Sequence, residues 1–196
     1  MGFWMWLTRH DQEQVLALLD HPDGVRAGRD RLLQAWWDMP DEPEQDPSAA
    51  LQVLEEVWTA RTWDALHVLL TGCENTDDDM VPTGEAPARD VVMGGLVLSP
   101  DGGAARLKTP LLLTPDEVRA VHAHLQAVDR DALIRERHPL LREVGPYSFG
   151  TTAEPGRPDA EGDMVQNGSL ARDFDLLRDF YARAAAGGDT VIKNIM

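Results

Sequence analysis

The side chains best suited to chemistry are a tryptophan and a histidine four residues apart, in the segment RTWDALHVLLTG at residues 61–72. Trp63 and His67 share one face of a predicted helix with two leucines, because residues at i, i+3, i+4 and i+7 lie on the same side. The indole of Trp63 can stack against the ring of a ligand, and the imidazole of His67 can act as an acid or a base. Together with Tyr147 and Tyr181, they form a candidate binding pocket. The alternative is a tryptophan in the core beside a histidine that donates to a backbone carbonyl.

Other reactive side chains do not form a recognisable catalytic or metal-binding pattern. His122 and His124 lie two residues apart on a predicted helix, so their side chains point about 200° apart and cannot share one metal ion. Cys73 is the single cysteine and has no base near it in the sequence. The sequence contains no phosphate-binding loop, nucleophile elbow or H-E-x-x-H pattern. We therefore predict no catalytic residue, no metal site and no cofactor, and we favour a protein that is not an enzyme.

The charge is strongly acidic, with 18 Lys and Arg against 34 Asp and Glu, and a formal net charge of −16. Such a surface repels nucleic acid and anionic lipid at long range and attracts a cationic protein. Asp77, Asp78 and Asp79 form the candidate acidic interaction surface, and a second acidic segment covers residues 38–46. The triad lacks the spaced ligands and the turn glycine of a calcium loop. The alternative is that the charge serves solubility alone.

The chain of 196 residues predicts a single domain over residues 1–196. One cysteine rules out an internal disulfide and suits a reducing compartment. The opening residues MGFWMWLTRHD lack the basic start and the cleavage site of a signal peptide, and no apolar run is long enough to span a bilayer. We expect a cytoplasmic protein.

Helices and strands are interspersed without strict alternation, which predicts an α+β fold with a small mixed β-sheet covered by several helices. Helix N-caps are expected at Thr8, Ser48, Thr62 and Thr114, where Glu117 completes a capping box. Predicted strands cover residues 2–7, 90–99, 105–113 and 190–196. Predicted helices cover residues 11–20, 24–37, 51–58, 62–71, 114–145 and 169–187.

Three segments carry a resemblance to a known family: TWDALHVLLTG, LLLTPDEVRAVHAHLQAVD and FDLLRDFYARAAAGGDTVI. In order and spacing they resemble the YfbM-like family of bacterial proteins, a domain of unknown function, over nearly the whole chain. The resemblance marks Trp63, Leu66, His67 and Gly72 as positions of the family motif and implies an α+β fold. It implies no reaction, cofactor or catalytic residue.

Three functional hypotheses follow. The first is a non-catalytic protein that binds a cationic protein, in the way that immunity proteins bind toxins. The second is a small-molecule-binding protein or an unrecognised enzyme that uses the Trp63 and His67 pocket. The third is a housekeeping domain whose acidic surface only promotes solvation. A deep pocket with His67 in its wall favours the second hypothesis, and a concentrated acidic face favours the first.

Overall fold

The computed structural model describes residues 3–38, 51–59, 61–75, 82–99, 109–150 and 163–196. These residues form five strands, six α-helices and a short 3-10 turn at Arg89–Val91. The strands are β1 (Met5–His10), β2 (Glu55–Thr59), β3 (Leu96–Val97), β4 (Leu111–Leu113) and β5 (Thr190–Ile195). The helices are α1 (Gln12–Leu19), α2 (Val25–Trp37), α3 (Trp63–Thr71), α4 (Pro115–Ala127), α5 (Arg130–Val144) and α6 (Ser169–Gly187).

The strands form one sheet in the order β2-β1-β5-β4-β3. β1 and β5, from opposite ends of the chain, pair over six residues at its centre. The predicted α+β class is confirmed. The sheet is antiparallel at each pairing of the described strands, where a mixed sheet was expected.

Helices cover both faces of this sheet, because β5 sends apolar side chains to alternate sides. Val191 and Ile195 join the larger core with α3, α4, α5 and α6. Ile192 points the other way and packs with α1 and α2. α2 and α3 therefore lie on opposite faces of the sheet.

The capping box at the start of α4 is confirmed. The Thr114 hydroxyl accepts from the Glu117 amide at 3.4 Å, and the Glu117 carboxylate accepts from the Thr114 amide at 2.7 Å. Of two other predicted caps, the one at Thr8 is wrong, and the one at Thr62 is in the predicted position but lacks a side-chain hydrogen bond to the helix. Thr8 lies buried inside β1, and the Asp11 side chain caps α1 instead. Thr62 takes the N-cap position of α3, but its hydroxyl donates to Asp173 at 2.6 Å and caps nothing.

The predicted helix at residues 51–58 is also wrong, since residues 55–59 form the strand β2. Leu51, Leu54, Val57 and Trp58 have helical spacing, which misled the prediction. In β2 the burial alternates instead, with Val57 and Thr59 buried and Glu56 and Trp58 exposed. Pairing with β1, about 50 residues earlier, decides the conformation. Ser48 lies outside the described residues.

Candidate functional site

The motif helix α3 is buried on all sides. Its sequence WDALHVLLT is apolar around most of its circumference, so it packs as an internal helix rather than as an amphipathic surface helix. Trp63 and His67 have no exposed surface. Gly72 ends the helix with a φ of 72°, as predicted, because glycine adopts this left-handed conformation without steric strain.

Trp63 and Tyr147, two of the four predicted pocket residues, are in contact. Their rings stack with centroids 5.8 Å apart and an interplanar angle of 28°. The Tyr147 hydroxyl accepts from the amide of Phe3 at 3.1 Å, and its amide donates to Asp64 at 2.8 Å. Tyr147 thus ties the start of the chain to α3. Among the described residues, the buried indole nitrogen Nε1 of Trp63 has no hydrogen-bond partner.

His67 is a neutral imidazole in the core. Its Nε2 lies 3.1 Å from the Thr83 hydroxyl, which itself donates to the carbonyl of Glu74 at 2.7 Å. We therefore assign the proton to Nε2, which leaves Nδ1 as a buried acceptor with no partner in the described part of the chain. Burial lowers the pKa of His67 to about 4, and the charges of Lys193 and Arg89 act in the same direction.

Tyr181, the fourth predicted residue, holds the 3-10 turn. Its hydroxyl donates to the carbonyl of Val91 at 2.9 Å, and burial raises the pKa of this phenol far above its usual range.

A buried lysine, Lys193, donates from Nζ to the carbonyl of Asp90, next to Val91. Burial lowers the pKa of Lys193 to about 7. Lys193 was not identified from the sequence, because the apolar run TVIKNI indicates burial of the strand but not its central place in the sheet.

A small cavity opens beside these residues at the end of β5. It has a volume of about 10 Å³, enough for about one water molecule, and its lining includes Lys193 and Asn194. None of the four predicted pocket residues lines it. All four lie in the core around α3 or pack against it.

The predicted acidic interaction surface, Asp77, Asp78 and Asp79, lies outside the described residues. Glu74, just before it, and Glu85, just after it, are exposed. Asp38, where the other acidic segment begins, is exposed at the end of α2. Because α2 and α3 lie on opposite faces of the sheet, the two acidic segments begin on different sides of it.

Four tryptophans form an aromatic ladder that the sequence analysis did not identify. Trp58 stacks on Trp6 with centroids 5.2 Å apart and an interplanar angle of 12°. Trp6 contacts Trp36 at 4.8 Å, and Trp36 contacts Trp37 at 4.8 Å. The two ends are open to solvent, since Trp58 is 46% exposed and Trp37 is 50% exposed.

The ladder is open at Trp58 because α1 and α2 pack over the central strands and not over β2. Trp6 and Trp58 are direct cross-strand partners, so their indoles share this face of the sheet. On the opposite face of β2, Glu55 accepts a hydrogen bond from Arg183 of α6 at 3.0 Å, so that face is covered by α6. The sequence signal for β2 was the run of Val57, Trp58 and Thr59, whose residue types favour strands.

An acidic side chain, Glu56, lies beside the exposed indole of Trp58. The exposed Glu56 carboxylate accepts from the Trp6 indole N–H at 3.0 Å. Among the described residues it forms no ion pair. Glu56, Trp6 and Trp58 together are named the Trp58–Glu56 face. A guanidinium or ammonium group has both an aromatic face and a carboxylate to bind there.

Two classes of site receive no support from the described part of the chain. It contains no cluster of three His, Cys, Asp or Glu side chains that could hold a metal ion. Within the same residues, no helix combines the length and apolarity needed to cross a membrane.

Comparisons with known proteins place the chain in a family. A solved structure described as a protein of unknown function, YfbM from Escherichia coli, matches with a TM-score of 0.59 and 21% identity. The match covers 98% of this chain and 99% of that chain, and at this identity it shows a shared fold. No curated protein matches. The model of the family described as "Domain of unknown function (DUF1877)" matches residues 1–193. This match over nearly the whole chain confirms the resemblance stated from the sequence, and the chain belongs to the DUF1877 family.

Proposed function

We propose that this protein is a non-catalytic, cytoplasmic binding protein whose partner is another protein with a cationic surface. The Trp58–Glu56 face carries the proposal. Its carboxylate lacks an ion-pair partner among the described residues, and the adjacent indole is 46% exposed. Tryptophan at the centre of an interface is a frequent source of binding energy, and a cation over its ring adds about 0.5–1 kcal/mol at an exposed site.

The chemistry of the partner follows from charge. A net charge of −16 steers a cationic protein toward this surface and raises its association rate. Asp38 is exposed next to Trp37, at the far end of the aromatic ladder. We assign Asp77, Asp78 and Asp79 a contribution to the same long-range attraction. Neutralising them should lower the association rate more than it raises the dissociation rate.

Comparative capture from the native cell tests this function. Wild-type protein is immobilised beside three variants: Trp58→Ala, Glu56→Gln and Glu136→Gln. Glu136 is exposed on α5, which packs on the opposite face of the sheet, so its variant matches the charge change of Glu56→Gln. A genuine partner is retained by wild type and Glu136→Gln, is lost from both face variants and is released by salt. Captured proteins that bind all four equally, or that withstand salt, contradict the proposal.

A second candidate function is small-molecule binding at Trp63, His67, Tyr147 and Tyr181. Two buried nitrogens favour it, Nε1 of Trp63 and Nδ1 of His67, since neither has a partner within the residues that the structure describes. A donor and an acceptor of this kind can bind a polar ligand that enters the core when α3 and its neighbours separate. A thermal-shift screen tests it with Trp63→Phe as the matched variant, which keeps a ring but removes the donor. The candidate fails if no small molecule stabilises wild type more than Trp63→Phe.

A further inference from the structure

β2 offers its backbone as well as its side chains. It is the first strand of the sheet, and within the described residues no strand pairs with its outer edge. The outward backbone groups of an edge strand are a template for another extended chain. Which residues carry those groups follows from the register of the central strands.

Two backbone hydrogen bonds between Trp4 and Met196 show toward which neighbouring strand the N–H and C=O groups of each residue in β1 point. The Trp4 amide donates to the Met196 carbonyl at 2.6 Å, and the Met196 amide donates to the Trp4 carbonyl at 2.8 Å. In an antiparallel ladder such pairs recur every second residue, so Trp6 and Thr8 also bond toward β5. The residue between them, Leu7, bonds toward β2.

The same alternation then applies to β2. Leu7 lies opposite Val57, and Met5 lies opposite Thr59. Val57 and Thr59 therefore bond to β1, and the N–H and C=O groups of Glu56 and Trp58 point to the free edge. Glu56 and Trp58 also supply side chains to the Trp58–Glu56 face. A single partner segment can therefore contact both the backbone groups and the side chains of these two residues.

We infer that the partner binds by adding an extended, basic segment to the outer edge of β2. The inference rests on the proposed function and specifies how the partner binds. The added strand exchanges backbone hydrogen bonds with Glu56 and Trp58, and its alternate residues lie on the side of the Glu56 carboxylate and the Trp58 ring. Arginine or lysine at those positions satisfies the unpaired carboxylate. A second copy of this chain fits less well, because association would bring together two chains of charge −16.

Amide hydrogen exchange with a defined probe tests the inference. The probe is a nonapeptide of alternating arginine and valine, and a glutamate–valine peptide is the charge-reversed control. In the free protein, the Val57 and Thr59 amides should exchange slowly and the Glu56 and Trp58 amides should exchange fast, because only the first two bond to β1. Saturating arginine–valine peptide should slow exchange at Glu56 and Trp58 by about tenfold or more. Unchanged exchange there, while the peptide is bound, overturns strand addition.

Two variants of one position separate the backbone contact from the charge. Glu56→Gln removes the carboxylate only. Glu56→Pro also removes the outward N–H, and an edge strand tolerates proline there because that N–H makes no bond within the sheet. Glu56→Pro should bind the peptide several-fold more weakly than Glu56→Gln, with its own unfolding temperature measured as a control. Two N-methylated probe peptides give the same comparison without altering the protein. One is methylated on the arginines and the other on the valines. The peptide whose methyl groups face β2 should lose binding, because it has no N–H groups to donate to Glu56 and Trp58.

The outcomes distinguish the inference from the function on which it rests. Equal binding by Glu56→Pro and Glu56→Gln, with equal binding of methylated and unmethylated probes, means side-chain docking. That result overturns strand addition and leaves the proposed function standing. A wild-type protein that binds neither the arginine–valine peptide nor any cationic protein overturns both.

Discussion

Acidification is expected to destabilise the protein through its two fully buried histidines, His10 and His67. Burial lowers the pKa of each to about 4, from 6.5 in an exposed chain. As pH falls through the interval from 6.5 to 4, the unfolded state takes up a proton at each site before the folded state does. Stability therefore falls with pH in that interval and is unaffected by these groups above it.

The size of the effect follows from the two pKa values. A difference from 6.5 to about 4 corresponds to about 3 kcal/mol for each histidine once the pH lies below 4. At about pH 5 the loss is about 2 kcal/mol each, or about 4 kcal/mol together. This is a large share of the 5–15 kcal/mol, roughly, by which domains are stable.

Urea unfolding at about pH 8 and about pH 5 measures this loss in wild type and in His67→Gln. Glutamine retains a donor for the Thr83 hydroxyl but does not titrate. The variant should lose about 2 kcal/mol less than wild type between the two pH values, because one of the two histidines is gone. Carboxylates common to both proteins cancel in the difference. An identical loss in the two proteins would refute the assignment of His67 as a buried neutral group.

Three further substitutions test the core and its charges. Trp63→Ala should lower the free energy of unfolding by about 3–5 kcal/mol because the indole is fully buried against Tyr147, and an unchanged denaturation midpoint would contradict this. Thr114→Ala should cost about 1 kcal/mol in thermal unfolding, with Thr114→Ser as the variant that keeps the cap. The lowered pKa of Lys193, about 7 against 10.5 when exposed, means that only the unfolded state holds the proton between these values. Wild-type stability should therefore rise with pH above about 7, and Lys193→Met should lack this rise in urea unfolding.

Features that depend on a few neighbouring residues were predicted correctly from the sequence. The box at Thr114 and Glu117 needs only residues three apart, and the end of α3 at Gly72 needs one left-handed residue. The helix predicted over residues 169–187 has the observed bounds of α6, Ser169–Gly187. Each of these signals lies within a few turns of helix.

Features that depend on distant partners were not predictable in the same way. β2 has helical spacing of its apolar residues, and its pairing with β1 overrides that spacing. Lys193 becomes a core residue because β5 is a central strand, which its own sequence does not specify. The open face needs Trp6 and Glu56 side by side, and they are 50 positions apart in the chain. The contacts among the four tryptophans of the ladder depend on the sheet order in the same way.

The binding role of the Trp58–Glu56 face is tested most directly by titrating the arginine–valine peptide into wild type, Trp58→Ala, Glu56→Gln and Glu136→Gln at low and physiological salt. Wild type and Glu136→Gln should bind alike and weaken as salt rises, because the attraction is screened over about 8 Å at physiological ionic strength. Trp58→Ala should bind about tenfold or more weakly. Glu56→Gln should also bind more weakly than Glu136→Gln, and it should keep a dependence on salt because the remaining net charge still attracts the peptide. Equal affinities in all four proteins, or wild-type binding that is no tighter than that of a neutral peptide, would contradict this role.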